Sequence, residues 1–322
     1  MDSSENSRPL FIAIDWGTTN LRAFLVDQYG DIQAQKQSEK GMLSLDSDEF
    51  EGVLKTLLGD WVRADLPVYM AGMVGSRGGW QEVPYQSCPI TLPSLADHLH
   101  WLSTALPCPV AIVPGIQGLG IHGYHDVIRG EETQLLGALD WLASQGREGE
   151  NPLCCMPGTH CKWVQIEDGG IQQFSTTLSG EIFARLNDDS SLVKGLPSSN
   201  VLHTDAFNKG VATSLTMGGF LHHLFSTRSR VVCGELTAEE GRDYLSGVVI
   251  GTDVKDILAA LQPSQTSVLL IGSHNLSERY ALALAAHGLR SEFLDASEAS
   301  IRGLKYMAAN QQHSLPLTGV AN

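Results

Sequence analysis

The feature that most constrains this chain is that it echoes itself. Residues 11–27 read FIAIDWGTTNLRAFLVD: a short apolar strand ending at Asp15, a small hydroxyl-rich turn (Gly17-Thr18-Thr19-Asn20), and a second apolar strand. Residues 153–168, LCCMPGTHCKWVQIED, repeat the plan, with Gly158-Thr159-His160 at the turn and Gly169-Gly170 beyond. At an offset of 141 residues Gly17 falls on Gly158, Thr18 on Thr159, Leu25 on Ile166 and Asp27 on Asp168. Duplication at that separation predicts two similar lobes with facing glycine hairpins.

Facing glycine hairpins make a phosphate site. Glycine lets the main chain approach a ligand closely, so that N–H groups can point at phosphate oxygens, and threonine hydroxyls add donors. The candidate contacts are Gly17, Thr18, Thr19 and Asn20 from one lobe and Gly158 and Thr159 from the other, with His160 in the second turn a further candidate. The copies differ at one decisive place: Asp15 precedes the first turn, whereas Met156 stands at the aligned position of the second. A carboxylate beside a phosphate is repulsive unless a divalent cation lies between them. The pattern therefore puts a metal, Mg²⁺, at Asp15. Taken singly, each hairpin is equally an ordinary turn. The chain has neither a G-x-x-x-x-G-K-[ST] loop nor the protein-kinase loops, which leaves the two-hairpin clamp as the route to ATP.

Composition sets the frame. The 322 residues, 43% of them hydrophobic, suffice for two medium lobes. A formal charge of −15 with no run of Lys or Arg argues against a nucleic-acid partner. Six cysteines (Cys88, Cys108, Cys154, Cys155, Cys161, Cys233) show no C-x-x-C and no zinc spacing, and read as reduced thiols of a cytoplasmic protein. No apolar stretch reaches the ~18 residues of a membrane span. The start, MDSSENSRP, is no signal peptide, and residues 1–8 read as a frayed tail.

Longer motifs carry a family resemblance. DWGTTN (15–20) and PGTHCKW (157–163) resemble the two phosphate motifs of the actin/hexokinase/Hsp70-like sugar kinases. VLLIGSHNLSERYALALAAHG (268–288) resembles their adenosine motif, and ASEASIRGL (296–304) their second connecting helix. RGEETQLLGAL (129–139) is similar to the segment that carries the catalytic carboxylate in the glycerol-kinase-like branch. MVGSRGGWQEVPYQSCP (73–89), FSTTLSGEIFARL (174–186) and YLSGVVIG (244–251) narrow the resemblance to the 2-dehydro-3-deoxygalactonokinase family. Two departures stand out: the adenosine turn is Gly-Ser rather than Gly-Gly, and the base position holds Glu rather than Asp.

The resemblance implies a two-lobed α/β fold of the actin-like (ribonuclease H-like) type, with a duplicated domain and a central cleft. The expected lobes are 9–128 and 129–322, with the last helix packing back at the hinge. The implied activity is ATP- and Mg²⁺-dependent phosphorylation of 2-dehydro-3-deoxy-D-galactonate to its 6-phosphate, in galactonate catabolism. Another sugar or sugar-acid acceptor, or a non-catalytic regulator, are the alternatives; a homo-oligomer is left open. Glu131, at an expected helix start where the dipole favours negative side chains, is the candidate base, with Glu132 the runner-up. Gly272 and Ser273 would meet adenosine. For the acceptor's carboxylate the planar fork of Arg77 is the candidate, with Ser76 as a donor and Trp80 packing on the sugar chain. His122 and His125 form H-x-x-H without an acidic third ligand and read as packing or loop solvation; Lys162 could approach phosphate, but strand alternation is expected to turn it away.

Periodicity completes the expectation. It gives strands at 67–71, 110–114 and 267–272. Helices are expected at 47–60, 94–105, 131–144, 203–225, 237–261, 275–287 and 298–309. A glycine-rich loop covers 114–123, and a polar connection covers 145–152.

Overall fold

In a computed structural model describing residues 8–197, 201–261 and 267–311, the apolar runs and small-residue turns give the following order. The first half holds β1 (Pro9–Trp16), β2 (Leu21–Asp27), β3 (Ile32–Ser38), α1 (Phe50–Leu58), β4 (Val68–Gly72), β5 (Gln86–Ser87), β6 (Ile90–Thr91), α2 (Leu92–Asp97), β7 (His100–Trp101), β8 (Val110–Ile112), β9 (Ile116–Leu119), β10 (His125–Ile128) and α3 (Glu131–Ala143). Then come β11 (Leu153–Met156), β12 (Cys161–Glu167), β13 (Gly170–Thr177), α4 (Ser179–Asp188), α5 (Thr204–Ser214), α6 (Phe220–Val232), α7 (Gly241–Leu261), β14 (Ser267–Gly272), α8 (His274–Ala286), β15 (Arg290–Asp295) and α9 (Ala296–Gln311).

The duplication is explicit in the sheets. One has the order β3-β2-β1-β4-β8-β7 and the other β15-β14-β11-β12-β13-β6. In each, an antiparallel three-strand meander (β1-β2-β3, β11-β12-β13) is extended by two parallel strands (β4-β8, β14-β15). The expected duplicated two-lobed α/β fold is the one observed. A third, three-stranded sheet, β10-β9-β5, accompanies them. Strand β6 completes the second sheet by pairing Ile90 with Ile171 of β13, although it lies in the first half of the chain.

The sequence echo drifts out of register beyond the turns. Ile12 pairs with Val68 as Leu153 pairs with Val268, so β1 and β11 keep the offset of 141. Asp15, however, faces Arg22, whereas Met156 faces Lys162, so the second hairpin is one residue shorter. The bulges agree: one lies between Leu25 and Val26, the other between Gln165 and Ile166. Leu25 therefore corresponds to Gln165, and the sequence matches of Leu25 with Ile166 and Asp27 with Asp168 are accidental. Their roles differ accordingly. The Asp27 carboxylate accepts from the Tyr29 and Asp31 N–H groups at 2.9 Å each, whereas Asp168 is a turn residue at φ 50°.

Local expectations are met where one period dominates and fail where chain punctuation or a partner strand intervenes. α1, α3, α7, α8, α9, β4, β8 and β14 lie where expected. The helix expected at 94–105 stops at Asp97, because His100 and Trp101 pair with Ile112 and Ala111 as β7. The helix expected at 203–225 breaks between α5 and α6 at Gly218 and Gly219, both at positive φ. The stretch 114–123, expected as loop, contains β9, which forms a hairpin with β10. Of the expected tail, residues 1–7 lie outside the described residues.

Strand alternation divides the interior into inner and outer cores. Phe11, Ala13, Tyr69 and Ala111 of the first sheet share one core with Cys154, Val164, Leu269 and Leu294 of the second. The opposite faces of the same strands, with Ile12, Ile14, Val68 and Val110 on one side and Leu153, Cys155, Val268 and Leu270 on the other, feed separate outer cores. The shared core is filled by α3 and α9, through Leu135, Leu136, Ile301 and Leu304. These helices cross at backbone distance. A Cβ at Gly137 would lie 1.8 Å from the Ala299 carbonyl oxygen, and one at Gly303 would lie 2.0 Å from that of Thr133. Each helix thus presents a small residue and, four positions on, the glycine that meets its counterpart.

Gly137→Ala should therefore lower unfolding stability by ~3 kcal/mol, overpacking outweighing the helix-propensity gain of alanine. Gly52→Ala in α1, where nothing lies within 4 Å of an added Cβ, should raise it by ~0.5–1 kcal/mol. Urea unfolding of the two variants measures the contrast, and equal effects would remove the crossing as a constraint.

Candidate active site

Each glycine hairpin is fixed from behind by a second glycine. In the first, Gly17 N–H donates to Asn20 O (2.9 Å), and Met42 and Leu43 N–H donate to the Gly17 and Thr18 carbonyls (3.0 Å each). A Cβ at Gly41 would sit 2.3 Å from the Thr19 carbonyl carbon. In the second, Glu181 N–H donates to Thr159 O (2.8 Å), and a Cβ at Gly180 would sit 2.0 Å from Gly158 O. The carbonyls are thus drawn back into the fold. Among the described residues the N–H groups of Thr18, Thr19, Gly158 and Thr159 have no main-chain acceptor, which is the disposition an anion needs.

A cleft of about 450 Å³ lies between the sheets, lined by Asp15 and Gly17 of the first hairpin, Gly158, Thr159 and His160 of the second, and Gly272 and Ser273 at the start of α8. A neighbouring cavity of about 570 Å³ is lined by Thr18, Thr19, Asn20 and Arg22, and Asp15 borders both. Gly72 and Gly272 occupy equivalent strand ends on the two sides of the cleft. Gly72 has φ 99°, with its Cβ position 2.8 Å from Trp16 O, and only glycine fits there. The His160 ring is engaged with Glu181 at 2.9 Å.

The inward-facing positions carry the charges. Asp15 has the parity of Phe11 and Ala13 and so faces the cleft, where it forms an ion pair with Arg22; Arg22 Nη1 also donates to Ser297 Oγ at 3.4 Å. Lys162 has the parity of Val164 and Ile166, so alternation turns it toward the cleft, contrary to expectation. Its Nζ lies 3.3 Å from Glu131 Oε1 and donates to His160 O at 3.1 Å. By strand pairing Lys162 is the counterpart of Arg22, an equivalence that the uniform 141-residue offset concealed by aligning Arg22 with Trp163. Allowing a one-residue deletion in the second turn was the signal that would have found it.

Glu131 and Glu132 begin α3 but separate at once. Glu131 lines the cleft. Glu132 is fully buried and accepts from Gly130 N–H at 2.6 Å, tying down the helix start. Burial, and then the charge of Glu131 alongside, push its carboxyl up to about 8. Of the expected acceptor residues, none lines the cleft. Arg77 is exposed, Ser76 Oγ donates to Met73 O at 2.7 Å, and Trp80 packs on Trp16 and Phe50. Arg129, which sequence reasoning passed over, does line it; it is buried, donates from Nη2 to Val83 O at 2.7 Å, and stacks over Tyr85 at 4.4 Å. Among the described residues no group of three His, Cys, Asp or Glu side chains could hold a metal, His122 and His125 included. Asp15 alone suits an ion such as Mg²⁺, which keeps its waters and takes one or two carboxylates plus substrate phosphates. No helix among the described residues is long and apolar enough to cross a membrane.

Comparison with known proteins matches residues 15–307 to the 2-keto-3-deoxy-galactonokinase family. The chain is 36% identical over 306 residues to the 2-dehydro-3-deoxygalactonokinase of Escherichia coli (strain K12), covering 93% of this chain and 99% of that protein. It is 33% identical over 313 residues to a Rhizobium meliloti (strain 1021) protein named as a probable 2-dehydro-3-deoxygalactonokinase, covering 92% and 96%. A Sinorhizobium meliloti crystal structure assigned to the same enzyme name superposes with a TM-score of 0.84 at 31% identity, over 95% of this chain and all of that one.

The buried Glu132 predicts a pH signature. Its folded carboxyl, near 8, holds a proton that the unfolded one, near 4.5, has released, so stability should fall as pH rises between those values, by at most ~1.4 kcal/mol per pH unit. Glu132→Gln should flatten that slope in denaturant titrations run from pH 5 to 8; an unchanged slope would mean that Glu132 is ionised in the fold.

Proposed function

Because this chain belongs to the 2-keto-3-deoxy-galactonokinase family, we propose that it transfers the γ-phosphoryl group of ATP to the terminal hydroxyl of 2-dehydro-3-deoxy-D-galactonate, giving the 6-phosphate and ADP. The observation that carries this reading is the convergence of Asp15, Glu131 and both glycine hairpins on one cleft. A regulator that only binds ligands has no use for a carboxylate at each lip.

The roles follow from placement. The main-chain N–H groups of residues 17–20 and 158–159 hold the phosphates, with His160 beside them; Gly272 and Ser273 flank the adenosine. Asp15 would hold Mg²⁺ together with the nucleotide, and Arg22, paired with Asp15, would face the phosphates. When bound, the ion neutralises charge on the phosphate oxygens. Glu131 takes the proton of the acceptor hydroxyl as its oxygen forms the new bond to phosphorus, while the bond from phosphorus to the β–γ bridging oxygen breaks and ADP leaves with that electron pair. Lys162 keeps the Glu131 carboxylate aimed into the cleft until substrate arrives. The loop over 73–89 bounds the acceptor side through Gly75, Val83 and Tyr85, which enclose Arg129, while Ser76, Arg77 and Trp80 lie outside the cleft. Lobes at 9–128 and 129–322, hinged where α9 packs on α3, close on the substrates and exclude water.

A coupled ADP-release assay over a panel of sugars and sugar acids tests the function. Turnover confined to a different acceptor would replace the substrate, and no ATP consumption with any acceptor would sink the kinase reading. EDTA should abolish turnover, and Asp15→Ala should do so without unfolding the chain; full activity in chelator would remove the metal.

Glu131→Gln should cut kcat by roughly 10²–10⁴ with ATP affinity nearly unchanged, as for a lost general base. If Glu132→Gln were crippled in kcat and Glu131→Gln were not, the base would be the buried neighbour.

A further inference from the structure

Asp15 and Glu131 line the cleft with Lys162 and Arg129, but the ion pairs that form leave one cation over. Asp15 is paired with Arg22, and Glu131 with Lys162. Arg129 lines the same cleft at 8% exposure; the buried Glu132, pushed toward its neutral form, feels its charge, but no carboxylate among the described residues forms an ion pair with it. Its Nη2 has the Val83 carbonyl, but Nε and Nη1 are buried with no hydrogen-bond partner. A guanidinium cannot shed its charge, and a buried cation with idle donors is costly unless an anion meets it. In a chain of net charge −15, supplying a carboxylate from the protein would have been easy. The fold instead leaves two nitrogens of this cation unpaired in the wall of the cleft.

Its surroundings say which anion. Among the described residues Arg129 makes no hydrogen bond or ion pair to either glycine hairpin, and its one side-chain hydrogen bond goes to Val83. It packs on the acceptor loop: Tyr85 lies under the guanidinium, Val83 binds Nη2, and Gly75 approaches so closely that a Cβ there would lie 2.7 Å from Nη1. It also stands two residues before Glu131 on the same lip. We propose that Arg129 is the residue that reads the acceptor's carboxylate, holding the acid end of the chain while Glu131 takes the proton at the hydroxyl end. This rests on the sugar-acid kinase reading and assigns its specificity to a buried arginine on the cleft wall. Arg77, exposed and outside the cleft, is the comparison.

The test compares steady-state kinetics on 2-dehydro-3-deoxygalactonate and on its C1 carboxamide, which is neutral and nearly isosteric. Arg129→Lys and Arg129→Gln should raise KM for the acid by roughly 10- to 150-fold, the worth of a charge-assisted hydrogen bond, with KM for ATP unmoved. The carboxamide should be a poor substrate of the parent and hardly change in the variants. Gly75→Ala, whose Cβ would meet Nη1 at 2.7 Å and Ile112 Cγ2 at 2.8 Å, displaces the guanidinium without removing it and should reproduce the selective loss even if substitutions at 129 fail to fold, with urea unfolding checking that the chain tolerates the added methyl. Arg77→Ala should leave acid-over-amide preference intact. Equal losses for acid and amide, a rise confined to ATP (Arg129 then serving phosphate), or a selective loss in Arg77→Ala each overturn the assignment while leaving the kinase reading standing. A parent enzyme that ignores the acid but phosphorylates another acceptor overturns both.

Discussion

Everything in this molecule is hung on the contact between two glycines and the helix backbones they touch. α3 and α9 fill the space between two six-stranded sheets, and they can do so only because Gly137 lies on the Ala299 carbonyl and Gly303 on that of Thr133. The contact is the same on both sides, as expected of a duplicated unit packed on its copy. It fixes the separation of the sheets, and that separation sets the width of the cleft. α3 begins at Glu131 and α9 begins at Ala296, both of which line the cleft, so the crossing also fixes where Glu131 stands relative to the glycine hairpins. A side chain at either glycine would wedge the lobes apart and shift the site with them.

Chemistry enters where the symmetry is broken. The two hairpins present equivalent inward positions, Asp15 opposite Arg22 and Met156 opposite Lys162. One copy retains a carboxylate suited to a metal. The other replaces it with a thioether, and its lysine reaches across to Glu131 instead. Adjacent glutamates at the start of α3 diverge in the same way: helix geometry sends Glu131 into the cleft and Glu132 into the core, so one carboxyl lines the cleft and its neighbour ties down the helix start.

What could be read without coordinates was what depends on residues near one another in the chain. The glycine turns, the strand preceding each, Asp15 with no counterpart in the second copy, and the helix starting at Glu131 all follow from local pattern and period. Lys162 was misjudged because a one-residue deletion in the second turn shifts the pairing, and a shift of one reverses every side chain on a strand. β7 and β9 were missed because strands of two to four residues are held by partners and carry little signal of their own. Arg77 drew attention as an arginine in a distinctive loop, while Arg129 was overshadowed by the glutamates that follow it.

The sequence by itself determined that the chain is duplicated, that each copy has a glycine turn between two strands, that only one copy carries a carboxylate beside its turn, and which family it belongs to. These are properties of composition and short-range order, and no folding is needed to state them. The tertiary structure alone decided which charges meet. Asp15 with Arg22 depends on hairpin register, Glu131 with Lys162 on the packing of the second sheet against α3, and the unpaired Nε and Nη1 of Arg129 on a loop more than 40 residues earlier that closes over it. Burial and pairing are collective results of packing, and the character of a charged side chain in a cleft is set by neighbours that the order of residues does not list.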